Sequence, residues 1–131
     1  MRRILALAAG LLVASHASAM KGDEFAKLIE SYKRANGNDA APNEDIMNMG
    51  MFAGYIRGVE DSMQGYRFCI PPQATFSQRA ALIEKYVEEH PDELHNGATT
   101  LIVQALQPVY PCVREEEAPK PKEEPPKPKK K

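Results

Sequence analysis

Two short segments, Phe68-Cys69-Ile70-Pro71-Pro72 and Tyr110-Pro111-Cys112, hold the only two cysteines of this 131-residue chain. Two helical patterns lie between the segments, and His90-Pro91 separates them. Two cysteines in a small exported domain most simply form one disulfide bond, and free or intermolecular thiols are the alternative. The stretch 68–112 therefore predicts a helical hairpin whose outer ends are tied covalently. The closed loop of about 44 residues is worth roughly 4 kcal/mol of stability.

The first residues, 1–19, have the pattern of a cleaved secretory signal peptide. Arg2 and Arg3 precede an apolar run over residues 4–14, and Ala17-Ser18-Ala19 is a typical cleavage site. The apolar run, about eleven residues, is too short to span a bilayer as a helix. We expect cleavage after Ala19 and a periplasmic mature protein in a bacterium, with an uncleaved anchor as the alternative.

Apolar periodicity predicts that residues 20–113 form one small all-α domain of four helices, because no stretch alternates with a period of two. Thr75 and Gln78 stand at the spacing of a capping box, and Pro91 suits the first turn of a helix. The expected helices cover residues 23–35, 44 to about 64, 76 to about 90, and 91 to about 107.

The second helix carries a row of glycines, Gly50, Gly54 and Gly58, nearly opposite its apolar stripe. Each glycine within a helix costs about 0.8–1 kcal/mol relative to alanine. The row therefore predicts helix packing, with another backbone close to this face. Packing against a helix of the same chain is the preferred interpretation, and contact with a second copy, a homodimer, is the alternative.

The charge is distributed unevenly between the predicted domain and the end of the chain. Residues 20–113 carry 8 Lys/Arg and 13 Asp/Glu, a net charge of −5, whereas residues 114–131 carry 7 and 5, a net charge of +2. An acidic domain lacks the basic surface that nucleic-acid binding requires. The Pro/Lys/Glu-rich segment 114–131 is predicted to be a disordered tail, either a solvated spacer or a tether to an anionic envelope surface.

The sequence offers no pattern that is typical of catalysis. His90 and His95 are five residues apart, which separates them around a helix and makes them a poor pair of metal ligands. Glu60 and Asp61 are adjacent, so their side chains point about 100° apart and make a poor acid/base pair; we expect either partial exposure to solvent or one carboxylate buried as the partner of Arg57. We therefore predict a protein that is not an enzyme and that uses neither a cofactor nor a metal.

Several short motifs occur in an order that resembles the Rap/Tai family of immunity proteins against type VI secretion amidases. The resemblance covers roughly residues 23–113, and the motifs are Gly54-Tyr55-Ile56 with Gly58 and Asp61, Phe68-Cys69-Ile70-Pro71, Tyr86, His90-Pro91-Asp92-Glu93-Leu94, Ala98, Ala105-Leu106 and Tyr110-Pro111-Cys112. It implies a small exported helical protein with a related disulfide arrangement. The HdeA-like acid-stress chaperones of the periplasm look like more distant relatives of the same fold.

The resemblance implies a binding protein that occludes the active site of a peptidoglycan-cleaving amidase, often as a dimer. Among the family's features only the two cysteines carry over by position. From the charges alone, we expect an acidic contact surface at the turn between the third and fourth helices, formed by Glu88, Glu89, Asp92 and Glu93. An ordinary solvated turn is the alternative. The other functions that fit the chain are an acid-stress chaperone and a non-catalytic protein that the tail tethers to the envelope.

Overall fold

The computed structural model describes residues 19–113, so the predictions for the signal peptide and the tail fall outside the described residues. This part of the chain is all-α, as predicted, and contains no β-strand. Its elements are α1 (Gly22–Ala35), α2 (Asn43–Met63), α3 (Phe76–Glu89), a short 3₁₀ turn (Pro91–Glu93) and α4 (Ala98–Leu106). None of these helices is long and apolar enough to cross a membrane.

Local sequence signals set the ends of the helices. The predicted capping box of α3 is present, since the Gln78 backbone N–H donates to Thr75 Oγ1 at 3.3 Å and the Thr75 N–H donates to Gln78 Oε1 at 2.8 Å. Gly37 follows α1 with a φ of +76°, a conformation that glycine adopts without steric cost and that helps to stop a helix. The local chemistry therefore accounts for the start of α3 and the end of α1.

The core lies where α1 packs against α2 and where α3 packs against α4. Aromatic rings from α1, α2 and α3 meet in it, because Phe25 lies 5.5 Å from Phe52 and Tyr32 lies 6.5 Å from Phe76 between ring centroids. Burial of large apolar side chains is the main stabilising contribution in such a domain. The largest fully buried side chains are Phe25, Phe52, Phe68, Ile29, Ile56, Ile83, Leu101, Ile102 and Leu106.

A disulfide bond between Cys69 and Cys112 closes the hairpin of α3 and α4, as predicted. The bond joins two irregular segments that also pair through their backbones, since the Cys69 N–H donates to the carbonyl oxygen of Tyr110 at 2.8 Å. The covalent link and this hydrogen bond together fix the segment before α3 against the segment after α4.

The predicted fourth helix begins at Pro91, seven residues before α4 begins at Ala98 in the structure. Pro91 opens only a single 3₁₀ turn, and α4 begins after Gly97. The intervening backbone bonds to the N-terminal segment, because the Gly22 N–H donates to Asn96 O at 2.8 Å and the Ala98 N–H donates to Met20 O at 2.9 Å. A continuous helix could not make these bonds, so tertiary pairing replaces helical propensity here.

The partner of the buried carboxylate also differs from the prediction. Glu60 pairs with Arg79 of α3, and both side chains are about nine-tenths buried. Arg57 instead places its guanidinium carbon 5.2 Å from the centroid of the Phe76 ring. The next acid, Asp61, is exposed, so the two adjacent carboxylates point into different environments.

Candidate functional site

The turn between α3 and α4 collects the acids that the sequence predicted as a contact surface. Glu88, Glu89 and Asp92 are exposed, and Glu93 is half-buried. The 3₁₀ turn at Pro91–Glu93 holds two of these acids beside the end of α3. The result is a negatively charged corner of the described domain, which suits contact with a basic surface.

Part of this acidic corner is held rigidly by two rings. The hydroxyl of Tyr86 donates to Glu93 Oε2 at 2.9 Å, and the Tyr86 ring stacks on His90 with 4.1 Å between centroids. His90 Nδ1 lies 2.8 Å from the carbonyl oxygen of Tyr86, which orients the imidazole. Burial, followed by the hydrogen bond to Glu93, raises the pKa of the Tyr86 hydroxyl, which keeps it a neutral donor. Glu93 is therefore positioned rather than freely mobile.

Glu88 is engaged with α1. Its carboxylate accepts a hydrogen bond from Lys33 Nζ at 2.6 Å, and the same ammonium lies 3.3 Å from Glu30. These two hydrogen bonds raise the pKa of Lys33, that to Glu88 more than that to Glu30. Glu89 lies 3.9 Å from Lys85 in an exposed pair, which contributes little to stability.

The fold adds two acids to this surface that sequence reasoning missed. Glu30 of α1 and Glu84 of α3 surround Lys33 together with Glu88. Burial raises the pKa of the Glu84 carboxyl above its usual value, Lys33 opposes this shift, and the charges of Glu88 and Glu30 add to it. In the sequence, only the position of Glu30 on the outer face of α1 pointed to its place on this surface. The contact between α1 and α3 depends on tertiary structure, so the sequence pattern could not show it.

The glycine row of α2 forms a second feature of the surface. Gly50, Gly54 and Gly58 are exposed, and a Cβ built at any of them meets no heavy atom within 4 Å. The preferred interpretation, packing against another helix of the same chain, is therefore not met within residues 19–113. Contact with a second copy stays a prediction.

An open apolar groove lies beside this row, between α2 and the start of α4. It has a volume of about 510 Å³, and Met51, Tyr55, Met63 and Thr99 are among its lining residues. The Tyr55 hydroxyl and Thr99 Oγ1 are hydrogen-bonded at 3.0 Å. Because the only polar side-chain atoms among these four are already paired, the groove is suited to an apolar surface rather than to a polar ligand.

The described residues offer no group of three His, Cys, Asp or Glu side chains that could hold a metal ion. His95 Nδ1 lies 2.7 Å from the backbone oxygen of Asp92, and His90 is stacked on Tyr86. Each histidine thus has its own local partner, and the structure does not bring the two together.

Comparison with known proteins gave one family. Residues 21–112 match the family model of Rap1a immunity proteins, which covers all four helices and both cysteines. Neither a curated protein nor a solved structure matches the chain.

Proposed function

This chain belongs to the Rap1a immunity protein family, and we propose that it protects its host by inhibiting a peptidoglycan amidase toxin in the periplasm. Family membership implies an inhibitor whose partner is a protein toxin. The amidase, its delivery by type VI secretion and the periplasmic location are our proposal. The match over residues 21–112 carries the proposal, because it covers nearly the whole described domain.

The acidic corner supports a role in recognition. Glu88 and Glu89 are exposed at the end of α3, Asp92 is exposed in the turn that follows, and the domain of residues 20–113 has a net charge of −5. Acidic surfaces accelerate association with basic partners and select against acidic ones. We propose that this corner contacts basic residues at the entrance to the active site of the toxin.

The rigidity of the corner supports inhibition rather than loose association. Tyr86 holds Glu93 through a hydrogen bond, Lys33 holds Glu88, and the disulfide closes the hairpin on which the corner lies. A surface that is ordered before binding loses less conformational entropy in the complex. A rigid surface can therefore bind tightly even when its contact area is modest.

The proposal is tested with the purified protein and an exported amidase encoded in the same genome. We expect stoichiometric inhibition of peptidoglycan cleavage and survival of cells in which the amidase is directed to the periplasm. Glu89→Lys combined with Asp92→Lys should weaken binding, measured by calorimetry, by about tenfold or more.

Asp61→Lys is the control, because Asp61 is exposed near the end of α2 and lines the same pocket as Arg79 near the start of α3. Ten residues of helix, about 15 Å, separate Arg79 from Glu89, so this pocket lies toward the other end of α3 from the corner. Undiminished inhibition by the double variant would show that the acidic corner is not part of the interface with the toxin. Failure of the unaltered protein to bind any exported amidase of its genome would contradict the proposed function.

A further inference from the structure

Two cavities meet around the tight turn that follows α2. One has a volume of about 310 Å³, and Val103 and Gln104 of α4 are among its lining residues. The other has a volume of about 390 Å³, and its lining includes Val113, the last described residue. Tyr66 and Arg67 of the turn line both cavities. The two cavities therefore form one continuous depression, which we call the tyrosine cleft.

The turn holds Tyr66 and Arg67 at the surface in a fixed arrangement. Their backbone N–H groups donate to the carbonyl oxygen of Met63 at 3.0 and 2.9 Å. Tyr66 is 78% exposed, and the exposed Arg67 makes no ion pair within residues 19–113. Tyrosine and arginine commonly anchor contacts between polypeptides, since each combines a large surface with directed hydrogen-bond donors.

Gln104 adds a polar group that the described residues leave unpaired. The residue is half-buried, and its Oε1 is buried without a hydrogen-bond partner in residues 19–113. A buried polar atom without a partner is destabilising. A half-turn of the amide exchanges Oε1 and Nε2, and a main chain lying in the cleft brings both N–H and C=O groups to it. The cleft therefore suits a stretch of polypeptide.

The disulfide bond places the end of the described domain beside this cleft. Cys69 lies two residues after Arg67, and Cys112 immediately precedes Val113. The Cα atoms of the two cysteines are 4.9 Å apart. The segment 114–131 thus leaves the domain at the rim of the cleft, and folding back into it closes only a short loop, which has a small entropic cost.

The first residues of this segment fit the cleft in length and composition. Over residues 114–121, a chain extended at about 3.1 Å per residue covers about 25 Å. The side of α4 that lines the cleft, from Thr100 to Gln107, is about 10 Å long. Pro119 and Pro121 favour an extended backbone, and proline rings pack well on exposed aromatic rings.

Charge complementarity supports the same occupant. None of the residues that line the cleft is acidic, and Arg67 is the charged residue among them. The domain of residues 20–113 has a net charge of −5, so an acidic segment is repelled from most of it. Glu115, Glu116 and Glu117 follow directly after the exit of the chain and therefore meet this one cation at short range.

We propose that residues 114–121 fold back into the tyrosine cleft, with the three glutamates at Arg67 and the two prolines against Tyr66. Because the segment is attached to the domain, its effective concentration at the cleft is about millimolar, and even a weak contact is largely formed. The segment then covers the cleft within one molecule. This inference concerns the chain itself and does not rest on the proposed function.

Nuclear magnetic resonance relaxation of the isotope-labelled chain 20–131 tests the proposal. We expect amide order parameters of about 0.85 at Glu116 and Ala118, as in rigid backbone, instead of values below about 0.6. Dilution should not change them, because the contact lies within one molecule. Arg67→Glu should lower both below about 0.6, because it replaces attraction to the glutamates by repulsion.

Lys27→Glu is the control, since it reverses the same charge at an exposed position on α1, outside the cleft. It should leave the order parameters unchanged, and circular dichroism should show the same helical content for all variants. Replacing residues 115–117 by lysine should free the segment. Combining that change with Arg67→Glu should order it again, because the charges are then exchanged and complementary.

Order parameters below about 0.6 in the unaltered protein would overturn the proposal, as would an Arg67→Glu variant whose segment stays ordered. Ordering that appears only at high protein concentration would place the segment on a second copy. Ordering that appears only after an amidase is added would place it on the toxin. Either result would also overturn docking within one molecule.

Discussion

Arg79 of α3 reaches across the interior and binds Glu60 of α2 through two parallel hydrogen bonds, one of them from Nη2 to Oε2 at 3.0 Å. Only 9% of the Arg79 side chain and 10% of the Glu60 side chain are exposed. The remaining nitrogen of the guanidinium, Nη1, donates to the carbonyl oxygen of Ala74 at 2.6 Å. One side chain thus joins two helices and the loop that precedes α3.

Breaking this ion pair from one side should destabilise the domain strongly. Glu60→Gln leaves the Arg79 charge buried without a counter-charge, and we expect the free energy of unfolding in urea to fall by about 3–5 kcal/mol. Replacing both residues, Glu60→Leu with Arg79→Met, should restore most of the loss, because no buried charge remains. A double variant less stable than Glu60→Gln would contradict this account, and Asp61→Asn should change stability by less than about 0.5 kcal/mol.

Removing the disulfide should destabilise the folded domain, because the unfolded chain then has more conformational entropy. The cysteines are separated by 43 positions in the sequence. We expect the double variant Cys69→Ser with Cys112→Ser to lose about 4 kcal/mol of unfolding free energy, measured in urea. Dithiothreitol should lower the urea midpoint of the unaltered protein in the same way and leave that of the variant unchanged. Equal sensitivity of both proteins to the reductant would count against the bond.

The two kinds of glycine should respond to alanine in opposite directions. Gly54→Ala should raise the free energy of unfolding by about 0.8–1 kcal/mol in dilute solution, because the helix gains propensity and nothing clashes. Gly22→Ala should lower it by about 1–3 kcal/mol, because the new methyl group overlaps Leu94 O and Leu101 Cδ1. Thermal unfolding at low protein concentration measures both changes. A destabilising Gly54→Ala would show that this face is packed within the monomer.

The ion pair between Asp45 and Arg34 predicts a dependence of stability on pH. Arg34 donates two hydrogen bonds to the Asp45 carboxylate, at 2.9 and 2.7 Å, and thereby lowers the pKa of Asp45 below its usual value of 3.8. A carboxyl group whose pKa is lowered in the folded state stabilises the fold at pH values above its unfolded pKa. This contribution is lost as the pH falls through the folded pKa. Asp45→Asn should therefore be less stable than the unaltered protein at pH 7.

Urea midpoints of both proteins between pH 7 and pH 2 measure this effect. The difference between them should shrink below about pH 4, where the unfolded carboxyl begins to take up a proton. A difference that stays constant over the whole range would show that Asp45 acts through packing and not through its charge.

Local signals predicted most of the helical structure. The capping box at Thr75 and Gln78 and the glycine after α1 lie within a few residues of the helix ends that they specify. The start of α4 could not be predicted this way, since the hydrogen bonds between Gly22 and Asn96 and between Ala98 and Met20 join residues far apart in the chain. Where long-range bonds compete with local propensity, the sequence pattern is a weak guide.

The candidate surfaces were only partly visible in the sequence. The acids at 88–93 could be located because they follow one another along the chain, but the hydrogen bonds of Glu88 to Lys33 and of Glu93 to Tyr86 depend on the fold. The glycine row was visible as a pattern. Its lack of a partner within the described domain was not, because a pattern shows which residues share a face and not what covers that face.

The sequence alone determined the all-α class and the pairing of two cysteines, because apolar periodicity and residue composition express these properties directly. Tertiary structure alone decided that Arg79 and not Arg57 neutralises Glu60, and that the glycine face of α2 stays open within residues 19–113. Both outcomes depend on how separate helices are placed in space. The burial of side chains from all four helices in one core supplies the free energy that places the helices, and no single segment of sequence encodes that burial.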